Sequence, residues 1–96
     1  MSEYRLSEAA QNDLREILEY TRASWGNRRA KHYLIELTVR FAELANSPEL
    51  GRKREKIGLG IRSFRASHHV VFYRQMPDAI EIARILHPSM ELERLF

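Results

Sequence analysis

The strongest constraint in this chain is a pair of apolar seams at helical spacing, separated by a two-residue break. Ala10, Leu14, Ile17, Thr21 and Trp25 follow one another at intervals of four, three, four and four, which is one face of a helix. Ser7 precedes the run as an N-cap and Gly26 follows it as a stop. Asn27 is then placed to cap a second helix. Its seam is Ala30, Leu34, Leu37, Phe41 and Leu44, flanked by Tyr33 and Ala45. Asn46-Ser47-Pro48 ends it, because the residue before a proline avoids the helical region. Two amphipathic helices joined this closely form an antiparallel hairpin.

The pattern changes after Pro48. Leu50 to Leu59 is basic and runs into Gly58-Leu59-Gly60, a loop signal. Ile61–Ala66, His69–Arg74 and Ala79–His87 read as strands, and Met76-Pro77-Asp78 turns the second into the third. Ser2 to Leu6 is a short edge strand, and Ser89 to Phe96 a helical turn or a loose tail. The predicted fold is α+β: an N-terminal strand, then an antiparallel helical hairpin packed on one face of a small antiparallel β-sheet. By strand alternation, Val71 and Tyr73 point one way and Val70 and Phe72 the other. Ile80, Ile82 and Leu86 share one face, Ala83 and Ile85 the opposite one. Both faces of the sheet are therefore apolar, and the hairpin covers only one. The other is closed either by residues 50–60 and 88–96 or by a partner.

The 96 residues suit a single domain over 1–96. With no cysteine, disulfides, thiol nucleophiles and thiolate metal sites are excluded, and a reducing cytoplasm is the expected location. No apolar stretch matches a signal peptide or a membrane span. The net charge of +3 is uneven. Residues 1–50 carry 7 Lys/Arg and 8 Asp/Glu, residues 51–96 carry 9 and 5. Arg52, Lys53, Arg54, Lys56, Arg62, Arg65 and Arg74 stand against Glu55 alone within 51–74. Such a patch draws acidic partners, nucleic acid or protein.

Catalytic signals are weak. His68 and His69 are adjacent on a strand and so point apart, which makes them a poor ligand pair. We expect no metal and no cofactor. Gly58-Leu59-Gly60 lacks the strand-then-helix context and the lysine of a phosphate loop. A metal-free ribonuclease would need cations and a general acid or base around the scissile phosphate. Arg62, Arg65, Arg74, Arg84 and His87 come from the sheet half. Yet Arg84 and His87 point to opposite faces unless a bulge intervenes. Pairing of these arginines with Glu81, Asp78 or a partner's carboxylates is the better reading.

In order, the chain runs Tyr4-Arg5-Leu6-Ser7, Asp13-Leu14, Trp25-Gly26, Leu50-Gly51-Arg52, Gly60-Ile61-Arg62, His69-Val70-Val71-Phe72-Tyr73-Arg74, and Glu81-Ile82-Ala83-Arg84-Ile85-Leu86-His87 with Met90. Over essentially its whole length this resembles a ParE toxin of the RelE/ParE superfamily of type II toxin-antitoxin systems. The resemblance implies a protein that inhibits DNA gyrase and is neutralised by a ParD-type antitoxin, whose C-terminal segment folds onto the toxin. It implies a hetero-oligomer, and no enzymatic activity. Antitoxin contacts are expected along the hairpin groove and at Arg62, Phe64, Arg65 and Arg74. Arg84, His87, Leu92, Leu95 and Phe96 are candidates for the target-facing surface or a residual active site. The alternative is the superfamily's RelE branch, which cuts messenger RNA on the ribosome, here through Arg62, Arg65, Arg84 and His87. Against it, Val70 stands where that branch has a catalytic arginine, and Ile61 and Ser63 stand near its lysine positions.

Overall fold

The computed structural model describes residues 3–89. Their order is β1 (Tyr4–Leu6), α1 (Glu8–Trp25), α2 (Asn27–Asn46), a 3-10 turn (Pro48–Leu50), β2 (Arg52–Lys53), β3 (Ile61–Ala66), β4 (His69–Gln75) and β5 (Ile80–Leu86). The sheet order is β1-β5-β4-β3-β2. The strand pairs β2–β3, β3–β4 and β4–β5 are antiparallel, whereas β1 runs parallel to β5. The sheet is therefore mixed. A parallel pair needs a long crossover, and almost the whole chain lies between these two strands.

Local chemistry sets the helix ends. Ser7 Oγ accepts from the Ala10 N–H at 3.0 Å and donates to the Ala83 carbonyl at 2.8 Å. One hydroxyl thus caps α1 and ties it to β5. Gly26, at φ 93°, stops α1 and is also the N-cap of α2, so Asn27 is the first residue of α2 rather than its cap. That backbone region strains any residue with a Cβ.

The helix-facing core gathers Ala10, Tyr33, Leu37, Phe41, Leu44, Ala66, Val71, Tyr73, Ile80, Ile82 and Ile85. Simple alternation fails along β5. The register slips between Phe72 and Tyr73: Tyr73 pairs with Ile82 but Phe72 with Arg84. Ala83 is the extra residue of a bulge, which reverses the facing of everything after it. Ile85 therefore joins the helix side and Leu86 the other, the reverse of the alternation reading.

The second sheet face is apolar, as expected, and it is closed within the chain. Ile61, Phe72 and Leu86 form a buried cluster with Ile57 and Val70 packed on it. The Arg54 guanidinium lies 5.8 Å from the Phe72 ring centre and donates to Ser63 Oγ. The basic loop therefore acts as a lid whose arginine gains a cation–π contact.

Candidate functional site

Three features bear on function: a groove outside the hairpin, a cavity beneath its tip, and the two polar clasps that fix the sheet to its surroundings. The groove runs along the hairpin face turned away from the sheet. Leu18, Ala30 and Leu34 form its floor, with Arg15, Arg22 and Lys31 along the rim beside Glu19 and Asn27. Further along α2, Ile35 and Val39 are exposed at 52% and 46%.

The cavity lies between the hairpin tip and the β3–β4 turn, with a volume of about 550 Å³. Ile17, Tyr20, Thr21 and Trp25 line it from α1, Arg29, Tyr33 and Glu36 from α2, and Ser67, His68, His69 and His87 from the sheet. Trp25 is 72% exposed, so it leaves the core seam in which its spacing had placed it. Ser67 holds a positive φ of 57° in the tight turn, a conformation that two-residue hairpins favour. Tyr33 anchors that turn. Its hydroxyl accepts from the His68 N–H at 3.2 Å and stands 2.6 Å from His69 Nδ1. Burial lowers the His69 pKa to about 4, assisted by His87, His68 and Arg65. His69 is thus neutral at physiological pH. His68 and His69 do not point apart: His68 occupies the turn, and both border one cavity. Among the described residues, no cluster of His, Cys, Asp or Glu has the geometry to hold a metal ion.

The first clasp is bidentate. Arg84 donates from Nε and Nη2 to Asp13 at 2.8 and 2.9 Å, and the Ile85 N–H donates to the same carboxylate at 3.0 Å. Asp13 raises the Arg84 pKa through this bond. β1 pairs only with 80–82, so Asp13 satisfies the edge of β5 beyond it. The second clasp centres on Tyr73. Its hydroxyl donates to the Pro48 carbonyl and accepts from the Gly51 N–H, each at 2.7 Å.

The sequence candidates are thereby located. Arg62 reaches back to the Gly51 and Glu49 carbonyls at 2.7 and 3.3 Å. Phe64 is partly buried against the helix-facing core. Arg65 is exposed, with Nε on the Ser67 carbonyl. Arg74 pairs with Glu81, and Arg5 with Asp78. Arg84 is held by Asp13 while His87 lines the cavity, so the bulge does not unite them. Leu92, Leu95 and Phe96 lie outside the described residues.

The family model for the ParE toxin of type II toxin-antitoxin systems, parDE, matches residues 4–92. The chain belongs to the ParE toxin family. It is 38% identical to a toxin ParE1 of Mycobacterium tuberculosis over 97% of this chain and 96% of that protein. It is 39% identical to toxin ParE1 of Caulobacter vibrioides, over 94% and 93%, and 34% identical to a toxin ParE of Escherichia coli, over 96% and 90%. In fold it is similar to a chain of a chromosomal ParDE system from P. aeruginosa (TM-score 0.76, 19% identity, 91% and 96% covered). A chain of the RelBE2 toxin-antitoxin complex of M. tuberculosis is more distant (TM-score 0.58, 22% identity, 90% and 96% covered).

The cavity was missed by sequence reasoning, though a signal existed. Between residues 22 and 31, Arg22, Arg28, Arg29 and Lys31 surround Trp25 with no acidic residue among them.

Proposed function

We propose that this ParE-family toxin inhibits DNA gyrase without a chemical step and is neutralised by a ParD-type antitoxin seated in the outer hairpin groove. The groove carries the reading. An apolar floor flanked by Arg15, Arg22 and Lys31 suits an amphipathic helix with acidic flanks, which lays its apolar stripe into such a groove. The similar structures from P. aeruginosa and M. tuberculosis are described as toxin-antitoxin assemblies, which supports an antitoxin partner here. On the sheet, Arg65 and Arg74 offer exposed cations to the same partner, with Arg62 and Phe64 shaping the surface beneath. His87, Arg84 and the segment bearing Leu92, Leu95 and Phe96 remain our candidates for the target-facing side.

Two assays separate the halves of this reading. Leu34→Glu in the groove floor and Arg65→Glu on the sheet should each weaken antitoxin binding by about tenfold or more in titration calorimetry, on the scale of central interface residues. Unchanged affinity in both variants sinks the docking surface. Purified toxin should block gyrase supercoiling or accumulate cleaved DNA. If it does neither at doses that stop growth, gyrase is not the target. Message cleavage on ribosomes that His87→Ala abolishes would establish the RelE-type alternative instead.

A further inference from the structure

The cavity under the hairpin tip lies on the opposite side of the helical seam from the groove, and antitoxin docking leaves it without a role. Three of its properties point to one kind of ligand. First, Tyr20 and Trp25 are 71% and 72% exposed, and among the described residues neither ring stacks on another aromatic ring. Large aromatic rings normally bury 150–250 Å² each, so two of them left open at one cavity mouth form a platform for a flat ligand. Second, the polar lining is mixed. Glu16 and Glu36 offer acceptors, whereas the neutral His69 ring carries one N–H and one bare nitrogen. Third, two cations stand at its mouth. Arg29 lines the cavity, and the Arg65 charge is felt at both Tyr33 and His69.

An organic cation would also favour aromatic rings and carboxylates. Here, however, Glu36 faces His32 at 3.2 Å, and Glu16 lies in the field of Arg84. Arg29 at the cavity and Arg65 beside it, on a chain of net charge +3, favour the phosphates of a polyanion at the mouth.

We propose that this cavity receives an unstacked nucleobase of a single-stranded nucleic acid, with Trp25 and Tyr20 stacking on the base and Arg29 meeting the adjacent phosphate. A volume of about 550 Å³ accommodates a base together with its sugar, within the usual range of ligand pockets. The carboxylates and the His69 ring then address the base edge.

Trp25 is the only tryptophan of the chain, so its emission reports occupancy directly. Purified toxin is titrated with labelled oligo(dA) and oligo(dT) of about eight nucleotides, a length within single-strand site sizes. The same experiment is run with a duplex of equal length and with an arginine-rich peptide. Single strands should quench and shift the tryptophan emission, and binding should fall with added salt. Trp25→Ala and Tyr20→Ala, followed by the anisotropy of the labelled strand, should each lose roughly tenfold in affinity or more. Arg29→Gln should lower the slope of log affinity against log salt by about one contact. All three side chains are exposed, so the fold persists, and thermal melts verify it. Single strands that bind without any emission change overturn the proposal. So do full affinity in both aromatic variants, equal binding of the duplex, and an emission response to the peptide alone.

Discussion

Replacing Tyr73 by Phe removes one oxygen atom from the interior and leaves every apolar contact of the ring in place. Tyr73 has no exposed surface. Its hydroxyl, whose pKa burial raises, stays protonated and bridges the Gly51 N–H and the Pro48 carbonyl. Without it, the Gly51 N–H is stranded beside a buried residue, which costs about 1–3 kcal/mol, while the partly accessible Pro48 carbonyl loses less. The expected loss is about 2–3 kcal/mol. Domains of this size hold only about 5–15 kcal/mol in all, and Tm should drop by roughly 10–20 °C. Urea melts at constant m-value measure the loss, and amide exchange should accelerate first at Gly51. Gly51→Ala supplies the second arm. A Cβ there would overlap the Tyr73 hydroxyl and stand 2.7 and 2.8 Å from ring carbons Cε1 and Cζ. Combining it with Tyr73→Phe should recover only part of the damage, because the ring carbons remain. A loss under about 0.5 kcal/mol for Tyr73→Phe would refute the claim that this hydroxyl holds the 48–51 segment to the sheet.

Asp13→Ala should cost about 2–4 kcal/mol in chemical denaturation, because it leaves the partly buried Arg84 and the Ile85 N–H without their shared carboxylate. Ser7→Ala removes both the cap of α1 and a bond to β5, and about 1–2 kcal/mol should be lost in the same assay. The folded-state pKa of His69, about 4, lies below its ordinary 6.5. Its neutral form therefore supports the fold fully above pH 6.5, and that support drains away as pH falls from 6.5 toward 4. Since His69 is only half-buried, the loss should be about 1 kcal/mol after allowance for solvent screening, and denaturant midpoints across that window should flatten in His69→Gln.

The helical hairpin was legible because its signals are local. Seam spacing, the Ser7 cap and the Gly26 stop depend only on neighbours within one or two turns. β3, β4 and the turn at 76–78 were equally plain, since β-branched and aromatic runs between turn residues need no distant context. Both apolar faces of the sheet could also be read. The facing of Leu86 and Ile85 could not, because the bulge at Ala83 arises where two strands meet and leaves no mark in either alone.

The site residues divide along the same line. Sequence alone located the basic run 51–74 and its family pattern, but charge carries no direction. Arg62, Arg74 and Arg84 looked alike as cations. The fold turns Arg62 onto loop carbonyls, pairs Arg74 with Glu81 and binds Arg84 to Asp13, 71 residues away. It likewise lifts Trp25 out of the apolar seam and sets it across from His69 and His87 at one cavity. Periodicity and composition fix what a segment can form on its own. Which polar groups meet is decided by long-range packing, because each buried donor must find its acceptor wherever the chain has brought one.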